Sequence, residues 1–307
     1  MKCENDGQIS LIAAVTAANK ATRKRGLKLW LAAQPLGRKQ RGFVYLVHMY
    51  LRWVDDFIDN PLNSISVKRN FISRQREIML NVLRFENVSL NSYEENYLLY
   101  FLQYLIETDR LDFVTYLNNT FKSFEMDIDR LDNDGMFSES ELSEYLTLLN
   151  ESIFKISFLF IPMRRNYKEL NGFIGTFFWH VLAVRDFKED IDAGFINISR
   201  ENVKSYNLNT ENLLEDSKRF IWLREVYPQL MRMLDEELII LSSMPFFVKS
   251  VWILSYFNLI GKIIRVKFYN FKFGVRFRKV FKKECQIIVY TILMSIKIIG
   301  KVFFNSR

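Results

Sequence analysis

Three aspartates within one short apolar segment, LRWVDDFIDN at residues 51–60, constrain this chain more than any other feature. Asp55 and Asp59 are four residues apart, so on a helix both carboxylates leave the same face, one turn apart, with Asp56 beside them. Two like charges placed in this way destabilise a bare helix and are costly to bury. We therefore expect a cation next to them, and a hard divalent metal such as magnesium suits both carboxylate and phosphate oxygens.

A second acidic cluster lies far downstream, in VRDFKEDIDAG at residues 184–194. Asp186 and Asp190 repeat the four-residue spacing, and Glu189 lies beside them. An arginine precedes each cluster: Arg52 before the first and Arg185 before the second. Two such carboxylate pairs on facing helices would hold several magnesium ions, and the two arginines would bind a diphosphate. The alternative is that each cluster is only a solvated acidic helix face.

Composition excludes several classes of function. The chain of 307 residues has only two histidines, His48 and His180, so histidine-rich zinc sites and most histidine-based triads are not expected. It contains neither a GxxxxGK(S/T) nor a GxGxxG phosphate-binding motif. Cys3 and Cys285 lie near opposite ends and make no disulfide framework, as expected in a reducing cytosol. We therefore expect a cytoplasmic protein, and the first residues do not resemble a secretory signal.

The hydrophobic pattern predicts an all-α chain of about ten helices, because no segment shows sustained period-two alternation and no repeat is visible. Asn133-Asp134-Gly135 predicts a turn, and the segment at 138–141 has the pattern of an N-terminal capping box. Residues 201–216 are predicted to be a polar connection or at most a short helix. The predicted helices are 9–20, 40–58, 67–85, 92–107, 113–131, 141–161, 171–190, 221–241 and 246–264.

The C-terminal segment differs in composition from the rest of the chain. From Lys262 onward there are 12 Lys or Arg and one acid, Glu284. The apolar run at 287–296 is too short to span a bilayer, which needs about 20 residues. It predicts either an interfacial helix on a membrane surface or a segment that closes the bundle while the cations surround a diphosphate; the two are compatible. We divide the chain into a helical domain at 1–283 and a tail at 284–307, and expect no nucleic-acid partner.

The paired motifs resemble those of the squalene and phytoene synthase family, the head-to-head prenyl synthases of the class I isoprenoid fold. The resemblance covers about residues 20–283, and the paired motifs are its specific part. The family's first motif, an arginine followed by DDxxD, is similar to Arg52, Asp55, Asp56 and Asp59. Its second motif, RDxxED followed by a glycine, is similar to Arg185, Asp186, Glu189, Asp190 and Gly194.

The resemblance implies a single-domain helical bundle around a central cavity, Mg²⁺ as cofactor and allylic prenyl diphosphates as substrates. It implies that catalysis depends on Asp55, Asp59, Asp186 and Asp190, and that these four residues with Asp56 and Glu189 bind the metal. The implied diphosphate-binding residues are Arg52, Arg185, Tyr256, Arg265 and Arg276. The implied pocket residues are His48, Tyr145, Phe178, Trp179 and Leu182.

Several positions depart from the family pattern. The family has an asparagine that adds a magnesium ligand where this chain has Leu182, a glutamine where it has Trp179, and a tyrosine where it has His48. The family's N-terminal serines are not evident at 27–30. Because the acidic ligands are retained while the changes surround the cavity, the pattern favours altered chemistry or an altered substrate over decay.

Three functions are open on the sequence alone. The first is head-to-head condensation of farnesyl or geranylgeranyl diphosphate to a squalene- or phytoene-like product. The second is cyclisation of one prenyl chain, or its transfer to another acceptor, by the same ionising residues. The third is a non-catalytic family member, such as an assembly factor, which would neither bind magnesium diphosphate nor release pyrophosphate. Substrate length, a need for NADPH and the oligomeric state are not determined by the sequence.

Overall fold

The computed structural model describes residues 8–34, 36–158, 187–209 and 232, and within them the chain is helical. No strand occurs among these residues, although an isolated parallel β-bridge joins Met136 and Ile196. The predicted helices at 221–241 and 246–264, most of the one at 171–190, and the tail at 284–307 lie outside the described residues. The helices are α1 Leu11–Arg25, α2 Leu27–Ala33, α3 Arg38–Asp59, α4 Ile65–Leu83, α5 Glu95–Glu107, α6 Asp112–Leu131, α7 Glu139–Phe158, α8 Phe187–Asp192 and α9 Arg200–Ser205.

The chain forms two compact units. The first comprises Met1–Gly135, Glu151–Arg165 and Ala193–Phe195. The second comprises Met136–Asn150, Asn166–Asp192 and Ile196–Arg307. The division into residues 1–283 and 284–307 stays a prediction.

Helix α3 is central to the first unit, where it packs against α1, α5 and α6. Leu46, Tyr50, Val54 and Ile58 recur every four residues along α3 and are almost completely buried. Burying each such side chain stabilises the fold by about 1.5–3 kcal/mol. This buried stripe orients the helix so that Asp56 and Asp59 of the DDxxD motif are exposed and Asp55 is half-buried.

A buried polar network joins α3 to α4 and α5. The Glu95 carboxylate accepts hydrogen bonds from Arg74 at 2.8 and 3.0 Å, from the Asn91 backbone N–H at 2.6 Å and from the Gln75 amide at 3.3 Å. The Tyr50 hydroxyl in turn donates to Gln75 at 3.1 Å. Burial raises the pKa of Glu95, but these hydrogen bonds outweigh it and leave the pKa lowered. The ionised carboxylate therefore helps to hold the motif-bearing helix in place.

Local signals in the sequence set several helix ends. The capping box before α7 is confirmed: the Glu141 N–H donates to Ser138 Oγ at 3.3 Å, and the Ser138 N–H donates to Glu141 Oε2 at 2.7 Å. The predicted turn at 133–135 is also confirmed, with Gly135 at φ 76°. The segment at 201–216, predicted as a polar connection or at most a short helix, begins within the short helix α9, and its residues 210–216 lie outside the described residues.

The N-terminal prediction was incomplete. Helix α1 does not end near Lys20 but continues to Arg25, and α2 follows after a single residue, Gly26. Three cations in the last turn of α1 interact favourably with the partial negative charge at a helix C-terminus. Of the helices in the described ranges, none is long and apolar enough to cross a bilayer.

Candidate functional site

The first aspartate motif occupies the C-terminal end of α3. Asp55, Asp56 and Asp59 lie within its last five residues, and its last turn contains no basic residue. The helix dipole places partial negative charge at this end, so three carboxylates there are unfavourable unless cations compensate them. A cation bound at this end of α3 would therefore stabilise both the three carboxylates and the helix C-terminus.

Arg52 compensates part of this charge from the preceding turn of the same helix. Its NH1 lies 3.2 Å from Asp55 Oδ2, and its Nε lies 3.0 Å from Asp56 Oδ1. All three side chains are about half exposed, and pairs of this kind contribute only about 0–1 kcal/mol. Another cation, or an anion that competes for the guanidinium, could replace these pairs at low cost.

A second arginine reaches the motif from a distant part of the sequence. Arg25, the last residue of α1, places NH1 2.9 Å from Asp56 Oδ2, so Asp56 lies between two guanidinium groups. Sequence reasoning missed this residue because it precedes the motif by one whole helix. The only signal was the basic run at 22–28, whose position relative to α3 depends on how α1 packs.

Lys68 supplies positive charge near Asp59 from α4. It is almost fully buried, and burial lowers the pKa of its ammonium group while the Asp59 carboxylate raises it; the net pKa is lowered. The charge of the motif thus interacts with cations from three helices, α1, α3 and α4.

His48 lies one turn before Arg52, on the same helix. Burial lowers the pKa of its imidazole from the ordinary value of 6.5, and the positive charge of Arg52 lowers it further. Its Nε2 atom is buried and has no hydrogen-bond partner among the described residues. A Cβ atom added at Gly26 would lie 2.8 Å from Nε2, so the junction between α1 and α2 approaches the ring closely. The ring is therefore uncharged at neutral pH, and glycine is needed beside it.

The second motif is described only in part. Glu189 is exposed on α8, while Asp190 is half-buried and accepts a hydrogen bond from the Asn197 amide at 2.7 Å. The turn after α8 contains Gly194 at φ 92°, a backbone conformation that glycine adopts without strain. The helix therefore ends near Gly194, as predicted. Asn197 was not anticipated.

Of the remaining predicted site residues, Tyr145 lies within the described part of the chain. It is buried on α7, and its ring centroid is 5.0 Å from that of Phe137. Its role as a pocket residue stays a prediction. The others lie outside the described residues: Arg185, Asp186, Phe178, Trp179, Leu182, Tyr256, Arg265 and Arg276.

The donor set of the first motif suits magnesium shared with a phosphate group. Within the described residues, no three His, Cys, Asp or Glu side chains form a group that could hold a metal ion by themselves. Magnesium, however, is usually bound through one or two carboxylates, and substrate phosphates and waters complete its shell. The Asp55 and Asp59 carboxylates, at helical i, i+4 spacing, meet that smaller requirement.

The described helices form part of an all-α fold of the class I isoprenoid synthase type, as found in squalene and phytoene synthases. One solved structure with this fold is a crystal structure of a dehydrosqualene synthase in complex with ligand, which matches with a TM-score of 0.63 and 16% sequence identity. The match covers 91% of this chain and 97% of that one. No protein-family model matches the sequence, and a search of curated proteins gives no match either.

Proposed function

We propose that this protein is a magnesium-dependent prenyltransferase. It would ionise an allylic prenyl diphosphate, farnesyl or geranylgeranyl diphosphate, and join two such chains head to head into a squalene- or phytoene-like product. The observation that carries the proposal is the DDxxD motif on α3, with three carboxylates at the helix end that least favours them, in a chain with a dehydrosqualene synthase-like fold.

The carboxylates of Asp55 and Asp59, with Asp56 beside them, would hold magnesium together with the diphosphate. The resemblance to squalene and phytoene synthases assigns the same magnesium-binding role to Asp186, Glu189 and Asp190. When bound, the metal supplies positive charge that stabilises the negative charge developing on the leaving diphosphate. Magnesium binding would account for the three carboxylates at the C-terminus of α3, where the helix dipole makes negative charge unfavourable.

Arginines would bind the same diphosphate. The guanidinium groups of Arg52 and Arg25 are exposed and are held only by weak surface pairs with the motif. A planar guanidinium binds phosphate oxygens in a bidentate manner, so both groups suit the leaving diphosphate once its negative charge is present. The resemblance adds Arg185, Tyr256, Arg265 and Arg276 to this set.

The pocket must exclude water and tolerate an allylic cation. The lowered pKa of His48 keeps this ring uncharged, so it does not repel a carbocation. Phe178, Trp179 and Leu182 are proposed to form apolar walls, where aromatic faces stabilise positive charge. Tyr145 completes the proposed pocket.

The test is pyrophosphate release by the folded full chain with magnesium and, in turn, geranyl, farnesyl and geranylgeranyl diphosphate, with extracted products identified by mass spectrometry. A hydrocarbon built from two prenyl chains supports the proposal. A product that contains the carbon atoms of a single prenyl chain would contradict head-to-head condensation and indicate a cyclase. No release with any substrate contradicts an ionising enzyme and favours a non-catalytic protein.

A further inference from the structure

We propose that the outer face of α1 and α2 docks on an anionic membrane surface. This face, the basic-leucine surface, combines exposed cations at the end of α1 with exposed leucines on α2. The proposal does not depend on the chemistry proposed above, nor on the C-terminal tail. Its residues are Lys20, Arg23, Lys24, Leu27, Trp30 and Leu31.

The charge of this region has one sign. Residues 8–54 contain nine Lys or Arg and no Asp or Glu. Lys20 and Lys24 are exposed one turn apart on α1, and neither forms an ion pair with another described residue. Their charges are therefore available to an external anion, and clusters of cations next to apolar side chains are typical of segments that bind anionic lipid.

The apolar part of the surface is a pair of leucines. Leu27 is 53% exposed and Leu31 is 54% exposed, and their spacing places both on one face of α2, one turn apart. Single exposed apolar side chains are normal on a folded protein. Two exposed leucines one turn apart, beside exposed cations, provide what a bilayer interface needs, namely charge for the headgroups and apolar atoms for the acyl boundary.

Trp30 joins the two halves of the surface. Its indole N–H donates to Asn19 Oδ1 at 2.8 Å, and the Arg23 guanidinium lies 5.3 Å from its ring centroid, so α2 is held against the cationic side of α1. Trp30 lies between Leu27 and Leu31 in sequence and is half-buried. Tryptophan is enriched at membrane interfaces, because its ring is apolar and its N–H is polar.

The exposed leucines favour a bilayer over a nucleic acid as the partner. Phosphates of either partner would satisfy the cations. A nucleic acid backbone, however, offers no apolar phase for two aliphatic side chains, whereas a bilayer offers one directly beneath its headgroups. The observed combination therefore points to phospholipid.

The test is co-sedimentation of the full chain with phosphatidylcholine vesicles that contain or lack phosphatidylserine. We expect binding only when phosphatidylserine is present, and weaker binding as salt screens the charges. Replacing Lys20 and Lys24 by Gln should weaken binding about 30-fold, at about 1 kcal/mol per cation. Replacing Leu27 and Leu31 by Ser should weaken it by a factor of about 10 or more.

Two control variants match these changes elsewhere on the protein. Arg84→Gln with Lys204→Gln removes the same charge from other exposed positions. Leu80→Ser with Leu111→Ser removes leucines that are 45% and 47% exposed. Both controls should bind vesicles like the unaltered chain, and circular dichroism should show the same helix content in every variant.

Several outcomes would overturn the proposal. These are no vesicle binding by the unaltered chain, equal binding to vesicles with and without phosphatidylserine, or unchanged binding by both surface variants. Loss of all binding on removal of residues 286–307, with both surface variants unchanged, would assign the contact to the tail. Competition by an oligonucleotide, with the leucine variant binding vesicles normally, would make the surface a nucleic-acid interface.

Discussion

Replacing Asp55 by asparagine should reduce activity without reducing stability, so this variant tests whether the first motif has a functional role. The change keeps the size of the side chain and removes one negative charge at the end of α3. We expect pyrophosphate release to fall by at least about 100-fold, since the variant loses a carboxylate that would hold the magnesium ion that stabilises the leaving diphosphate. The free energy of unfolding, measured with denaturant in the absence of magnesium, should not fall with it.

The magnitude follows from the contacts of Asp55. The variant loses the ion pair with Arg52, about 0–1 kcal/mol for half-exposed partners, while Arg52 keeps its contact with Asp56 at 3.0 Å. It gains about 0.3–1 kcal/mol from relief at the helix C-terminus and about 0.2–0.5 kcal/mol from reduced repulsion with Asp59. The net change lies between a loss of about 0.5 and a gain of about 1.5 kcal/mol.

Asp129→Asn is the matched control. Asp129 lies in the last turn of α6, and its Oδ1 is 2.9 Å from Arg69, which keeps Asp132 at 3.0 Å when Asp129 is changed. The same loss of charge, pairing and helix-end repulsion therefore occurs away from the motif. This variant should release pyrophosphate like the unaltered chain.

Two results would refute the reasoning about Asp55. Turnover within threefold of the unaltered chain would show that the carboxylate is not part of the reacting site. A loss of more than about 2 kcal/mol of unfolding free energy would show that Asp55 is a structural residue, since surface changes without a structural role stay within about 0.5 kcal/mol.

Three further predictions test other parts of the site and its support. Arg25→Gln should raise KM for the prenyl diphosphate severalfold and change the unfolding free energy by less than about 1 kcal/mol, because the group is exposed; an unchanged KM would exclude Arg25 from diphosphate binding. Because the pKa of His48 is held below 6.5, the unfolded chain binds its proton more readily, so stability should decrease as pH falls below 6.5. Urea unfolding between pH 5 and 7.5 should show this decrease reduced in His48→Asn, and an identical profile would contradict it. Glu95→Ala should cost about 2–3 kcal/mol in urea unfolding, since it leaves Arg74 without its buried carboxylate partner, whereas the exposed Glu86→Ala should cost under about 0.5 kcal/mol; equal costs would contradict a role for the network.

Prediction from the sequence succeeded where local signals decide the outcome. Helix α3 was predicted at 40–58 and runs over Arg38–Asp59, because its apolar residues recur with helical spacing and Pro61 follows its end. The capping box before α7 was found because its two partners are three residues apart. Helix α2 was missed because its seven residues, which begin within the basic run at 22–28, contain too few helical turns for their hydrophobic pattern to indicate a separate helix.

The motif spacing and the buried stripe of α3 follow from the sequence alone, because the geometry of one helix relates residues three and four positions apart. Only the tertiary structure decides that Arg25 contacts Asp56, that the buried Lys68 acts on Asp59 and that Gly26 lies against His48. These contacts join different helices, and their geometry depends on how side chains of α1, α3 and α4 interdigitate where the helices cross. Helical periodicity carries no information about that crossing, so the charges of the motif could be read from the sequence, but not the residues that compensate them.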